Sequence, residues 1–136
     1  MLFDPKESVD FNGNTGPFIQ YTHARIKSIL RKNSDLVDFE SIHSEMLTDL
    51  DLQVIKKLHE YPQVIKDAGD NKSPALVANY IYELVKEFNH FYQNSPSILK
   101  EENELLKSFR VALCETSGKT IKSGMSLLGI KVPERM

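Results

Sequence analysis

Apolar side chains recur along most of the chain at the spacing of a helix, three or four residues apart. No stretch of useful length alternates apolar and polar positions as a half-buried strand does, and no internal repeat recurs. The pattern therefore predicts an all-α fold, a bundle of about four to six helices. We predict that residues 1–136 form one domain, in which residues 1–16 are a lead-in segment and a loop.

Proline, glycine and asparagine mark where the helices begin and end. Gly16 and Pro17 should open the first helix, and Pro62 should interrupt the second. Ser73 is the expected cap of a long helix that we predict to be the core helix, with an inward stripe that begins at Leu76. The predicted helices cover about residues 17–32, 51–60, 63–68, 74–92 and 101–124.

The first predicted helix has two distinct sides. One side is apolar and should pack inward; it comprises Ile19, Ile26, Ile29 and Leu30. The other side carries polar and aromatic groups at helical spacing; it comprises Tyr21, Arg25, Ser28 and Lys32. We expect the second side to be free to bind a ligand.

A net charge of −2 conceals two basic segments. Residues 17–32 contain two arginines and two lysines with no acid, and residues 107–136, which include Arg110, also have a surplus of basic residues. Acids concentrate in the connection from Asp35 to Asp51. If the two basic segments share a face, that face attracts a polyanion; the alternative is ordinary solvated helix surface.

Several kinds of chemistry are not indicated. GNTG follows no predicted strand and lacks the ending of a phosphate-binding loop, so Gly13 and Gly16 are interpreted as residues that permit unusual backbone angles. The four histidines are far apart and no metal site is expected. Cys114 lies among apolar residues and is interpreted as core filling. No apolar run could span a bilayer and no signal peptide is seen, which favours a cytoplasmic protein.

Three motifs resemble one known family. GNTGPFIQYTHARIKSIL resembles the start of the C-terminal anticodon-binding domain of arginyl-tRNA synthetases, which belong to class I. ALVANYIYELVKEFNHFYQNSPSIL is similar to the long helix of that domain, and GMSLLGIKVPERM is similar to its end. The motifs occur in the same order as in the family and cover nearly the whole chain. Cysteinyl and methionyl synthetases have related domains but lack this pairing of motifs.

The resemblance implies a C-terminal fragment whose catalytic domain is absent. No catalytic residues are expected in it, because the HIGH and KMSK signatures of class I synthetases are missing. The parent enzyme would attach arginine to its tRNA with ATP and magnesium, and this domain itself would need no cofactor. Its implied partners are the anticodon arm of arginine tRNA and its own catalytic domain, not DNA or a membrane.

The resemblance also implies which residues meet the RNA. Tyr21 and Arg25 match the tyrosine and arginine that face the anticodon loop in the family, and Met136 matches the methionine at its end. Tyr92 matches the aromatic that closes the long helix, with Phe91 as the alternative if the alignment shifts. Aromatic rings offer faces on which unpaired bases stack, and arginine adds charge and a hydrogen-bonding fork.

A second set of residues is expected to contact phosphates without reading sequence. Its members are basic: Lys27, Arg31, Lys32, Lys119 and Lys122. A rival function stays open, in which the chain is a helical packing module without RNA binding of its own. The GNTGP loop is expected to set the angle at which the first helix leaves it.

Overall fold

The structure is a computed structural model that describes residues 3–8, 15–33, 39–95 and 97–136. Within these ranges it contains helices and no strand, which confirms the all-α prediction. The helices are α1 (Pro5–Ser8), α2 (Gly16–Leu30), α3 (Asp49–His59), α4 (Tyr61–Asp70), α5 (Pro74–Asn94) and α6 (Glu104–Leu127). Short 3-10 helices cover Ser44–Met46 and Ile98–Lys100.

The helix boundaries follow local chemistry that the sequence reveals in part. α2 begins because the Thr15 side chain accepts a hydrogen bond from the backbone N–H of Phe18 and because Pro17 fits the first turn. Gly16 has no positive φ, and a Cβ there would meet no atom within 4 Å, so the expectation of an unusual backbone angle at Gly16 is wrong. Gly13 lies outside the described residues. Ser73 precedes α5 without a side-chain capping bond, contrary to prediction.

α5 is the centre of the bundle, as its apolar stripe predicts. It packs against α2, α3, α4 and α6. The buried side chains of its inward face are Val77, Tyr80, Ile81, Leu84, Val85, Phe88 and Phe91. Leu76, expected to face inward, is exposed because it lies about 100° around the helix from Val77, the residue at which the buried stripe begins. Cys114 is fully buried, and burial raises the pKa of its thiol to about 12. No helix in the described ranges is long and apolar enough to cross a membrane.

Arg110 joins α6 to α3 through a buried ion pair. Its Nε and Nη2 donate to the two carboxylate oxygens of Asp51 at 3.0 and 3.2 Å, and its Nη1 donates to Glu101 at 3.1 Å. The side chain of Asp51 is fully buried and also accepts hydrogen bonds from the backbone N–H and the hydroxyl of Thr48. Arg110 therefore belongs to the interior, and counting it in a basic surface segment was wrong.

Asp51→Asn should lower the free energy of unfolding by about 3–5 kcal/mol, because it leaves the Arg110 charge buried without its main partner. Urea denaturation of the 136-residue chain measures this. The control is Asp70→Asn, which breaks an exposed pair with Lys66 at 4.0 Å and should change stability by less than about 0.5 kcal/mol. Equal effects of the two substitutions would contradict the assignment of Arg110 as a buried structural charge.

Candidate nucleic-acid interface

A groove of about 600 Å³ lies between α2, the end of α5 and the segment after α6. The polar side of α2 predicted from the sequence forms one wall of this groove. The residues that line it are Tyr21, Ala24, Arg25, Ser28, Ile29, Arg31, Lys32, Tyr92, Leu99, Arg135 and Met136. The groove therefore brings together all four residues predicted to meet the anticodon, from three separate parts of the chain.

The guanidinium of Arg25 lies between two tyrosine rings. Its central carbon is 5.1 Å from the ring centroid of Tyr21 and 4.9 Å from that of Tyr92. Both rings keep a large exposed fraction, 41% for Tyr21 and 38% for Tyr92. Tyr92 is held from behind by stacking on the buried Phe88, with ring centroids 6.3 Å apart. The result is a row of planar groups that is fixed on its inner side and open to solvent on the other.

A buried hydrogen-bond chain fixes Arg25 in this position. The side-chain amide of Asn89 donates to Thr22 Oγ1 at 2.9 Å and to the backbone oxygen of Val85 at 3.0 Å. The hydroxyl of Thr22 in turn donates to the backbone oxygen of Phe18 at 3.1 Å. Because both amide hydrogens of Asn89 are used, its Oδ1 faces Arg25 and accepts from Nη1 at 2.7 Å.

The groove is strongly positive. Four of its lining residues are basic, and none of those in the described part of the chain is acidic. These cations are Arg25, Arg31, Lys32 and Arg135. A groove lined by cations and by exposed aromatic rings suits a flexible polyanion that carries planar groups.

The structure also shows which of Tyr92 and its alternative, Phe91, is accessible to a ligand. Phe91 is fully buried in the core, whereas Tyr92 projects into the groove. Met136 lies at the rim of the groove with 60% of its surface exposed. A ligand in the groove can therefore reach Tyr92 but not Phe91.

The five basic residues predicted to contact phosphates do not form one surface. Arg31 and Lys32 line the groove, whereas Lys27, Lys119 and Lys122 surround a second depression of about 220 Å³ beside His23. Lys27 pairs with Glu134 at 3.8 Å and Lys119 pairs with Glu115 at 3.0 Å. Within the described ranges neither Lys32 nor Lys122 forms an ion pair.

The segment after α6, residues 129–136, separates these two surfaces; we call it the strap. It lies along α2 and accepts a hydrogen bond from Gln20 on Lys131 O at 2.9 Å and one from His23 on Pro133 O at 2.8 Å. His23 is buried, and this burial lowers the pKa of its imidazole below the ordinary 6.5, with nearby lysines adding to the effect. The ring is therefore neutral at pH 7, with its proton on Nδ1.

Sequence reasoning missed Thr22, Asn89 and Arg135. A signal existed for Asn89, since an amide on the apolar side of a core helix must find buried partners. Arg135 was counted only as part of a basic segment. In the described part of the chain, no group of three or more His, Cys, Asp or Glu side chains comes together in a way that could hold a metal ion.

Relatives of known function match the whole chain. It is 51% identical over 141 residues to an arginine–tRNA ligase of Porphyromonas gingivalis and 56% identical over 136 residues to one of Flavobacterium psychrophilum. Each match covers 100% of this chain but only 23% and 22% of the relative. The chain thus spans less than a quarter of the length of these curated relatives.

Solved structures and a family profile agree with this. The arginyl-tRNA synthetase of Thermus thermophilus matches with a TM-score of 0.87 and 29% identity, over 98% of this chain and 23% of that one. The arginyl-tRNA synthetase of Plasmodium falciparum matches with a TM-score of 0.78 and the same identity and coverage. The profile of the DALR anticodon binding domain matches residues 19–136. This chain therefore belongs to the DALR anticodon binding domain family.

Proposed function

We propose that this domain is the anticodon-binding part of an arginine–tRNA ligase, and that its groove holds the anticodon loop of arginine tRNA. The observation that carries the proposal is the Arg25 guanidinium fixed between the exposed rings of Tyr21 and Tyr92. In the full-length protein, the attachment of arginine would take place in a separate catalytic domain with ATP and magnesium.

The chemistry of the groove suits an unpaired RNA loop. Bases in a loop are splayed out and stack on aromatic or guanidinium planes, and each stacked base contributes about 1–3 kcal/mol. Tyr21 and Tyr92 supply such planes from two helices, and Arg25 between them supplies positive charge and hydrogen-bond donors. Arg31, Lys32 and Arg135 surround them and would meet the phosphates between the bases. Met136 adds an apolar, polarisable contact at the rim.

A second candidate function is packing against another part of the synthetase, such as its catalytic domain. It is favoured by an apolar depression of about 130 Å³ between α3 and α6, away from the groove. Phe39 stands at its edge with 62% of its surface exposed and contacts Phe109 edge to face. Such a contact would depend little on salt, whereas binding to RNA phosphates weakens steeply as salt rises.

Tyr21→Ala and Tyr92→Ala should each weaken binding of an arginine tRNA anticodon stem-loop by about 5- to 150-fold, because each removes one stacking plane. Fluorescence anisotropy of the labelled stem-loop measures this, with a scrambled-anticodon loop beside it. The matched control is Tyr82→Ala, since Tyr82 is also on α5 and has its own cation contact, with Lys86 at 5.7 Å, but does not line the groove. Binding that is equal for both loops and unaffected by the groove variants would contradict the proposal and favour the packing function.

Asn89→Leu should weaken binding through Arg25, because the guanidinium loses the acceptor that fixes its plane. We expect a decrease in affinity similar to that of Arg25→Ala. The double variant Asn89→Leu, Arg25→Ala should then bind no more weakly than Arg25→Ala alone. Additive losses in this double-mutant cycle would show that Asn89 acts on binding independently of Arg25. Circular dichroism of each variant checks that the helices are intact.

Lys32→Gln should reduce affinity for the matched and scrambled loops by the same factor, because a phosphate contact carries no sequence information. The slope of log Kd against log salt should fall by about 0.7, the value for one contact to a single strand. Lys122→Gln tests the second depression in the same way. The control is Lys66→Gln on α4, because the Lys66 side chain is 71% exposed and lines neither surface. An unchanged slope for Lys32→Gln would remove this residue from the interface.

A further inference from the structure

The strap is held along one side of α2 by side chains at regular helical spacing. Gln20, His23, Lys27 and Arg31 are three, four and four residues apart and therefore lie in one row. Each of them contacts the strap, from Lys131 at the start of the row to Glu134 at its end. Arg31, which follows the last residue of α2, also lines the groove, whereas the other three residues of this row do not.

The side chains of this row bind mostly backbone atoms of the strap. Gln20, His23 and Arg31 all donate to backbone oxygens, those of Lys131, Pro133 and Glu134. Only Lys27 contacts a side chain, the Glu134 carboxylate at 3.8 Å. Backbone contacts fix the path and register of a segment rather than its side chains. They determine where the residues that follow, Arg135 and Met136, enter the groove.

His23 makes the least exposed of these contacts. Its side chain is 1% exposed, whereas the bonds from Gln20 and Arg31 lie at the surface, where water competes for the same groups. The acceptor is the carbonyl of Pro133, a residue that has no N–H of its own and whose ring keeps φ near −65°. A partly buried bond from a buried side chain to a stiff residue is well placed to set the register of the whole segment.

Gly129 sets the direction in which the strap leaves α6. Its φ is +75°, and its N–H and that of Ile130 bond back to Ser126 O and Met125 O at 3.0 and 2.9 Å. This pair of bonds is the Schellman arrangement, which ends a helix and turns the chain sharply. A Cβ at position 129 would meet no atom within 4 Å, so only the backbone angle requires glycine there.

We propose that His23 is a positioning residue of the RNA site: by binding Pro133 O it registers the strap on α2 and so places Arg135 and Met136 in the groove. The RNA part of this proposal rests on the proposed function above. The docking of the strap does not rest on the proposed function, and it can be measured without RNA.

Limited trypsin digestion measures the docking, because Lys131 precedes Val132, which is packed against the core. Cleavage after Lys131 in the 136-residue protein should be at least tenfold slower than in a synthetic peptide of residues 127–136. His23→Phe keeps an apolar ring but has no donor, and should accelerate this cleavage at least tenfold. His23→Asn, whose amide can replace the Nδ1–H donor, should restore most of the protection. His59→Phe on α3 is the control and should change nothing.

Stem-loop affinity measured on the same variants tests the positioning role. His23→Phe should lose at least as much affinity as Met136→Ala, because it displaces Arg135 as well as Met136. Adding Met136→Ala to His23→Phe should cause no further loss. Gly129→Ala redirects the strap without altering α2, and it replaces His23→Phe in the test if that variant does not fold. It should show the same faster cleavage and the same loss of stem-loop affinity.

Rapid cleavage of the unaltered protein would overturn the docking of the strap. A His23→Phe variant that is still protected would overturn the role of His23 in that docking. Lost protection with unchanged stem-loop affinity would overturn the positioning role of His23. If the unaltered protein does not bind the RNA, the proposed function is overturned. The trypsin result alone then decides whether the strap is docked by His23.

Discussion

The buried pairing of Arg110 with Asp51 is the interaction on which the arrangement of the helices depends. Arg110 is in the second turn of α6, Asp51 is in the first turn of α3, and Glu101 lies before α6, so one guanidinium ties three parts of the chain together. A charge in the interior requires its partners at hydrogen-bond distance, whereas apolar side chains tolerate sliding. This requirement fixes α3 against α6, and α5 then packs against both of them and against α2.

α2 has to meet three different neighbours with only fifteen residues. Its apolar side enters the core, a second side presents Tyr21 and Arg25 to the groove, and a third side binds the strap. The amide of Asn89 connects the first two sides, because it is buried in the bundle and yet ends on Arg25. The orientation of a side chain in the groove is therefore determined by packing inside the domain, which keeps the groove preorganised for its ligand.

Much of the fold could be predicted from the sequence, because helical periodicity and prolines are local signals. The interruption at Pro62 and the long core helix were predicted from such signals, as were Tyr21 and Arg25 on one side of α2. The hydrogen-bond partners could not be predicted, because Asn89 and Thr22 are 67 residues apart in sequence. The same reason explains why Arg110 was placed on the surface: its counter-charge comes from a helix 59 residues away. The split of the basic residues into two surfaces follows from the path of the strap, which no local pattern encodes.

The burial of Cys114 has a practical consequence for spectroscopy on this domain. It is the only cysteine in the sequence, it is fully buried, and a thiol with a pKa near 12 is almost entirely protonated at neutral pH. A cysteine introduced on the surface can therefore be labelled with a maleimide dye while Cys114 stays in place and unreacted. Position 131 suits such a dye, because α2 binds the backbone oxygen there and leaves the side chain in solvent. The native thiol needs no replacement, so the core keeps its packing during a fluorescence experiment.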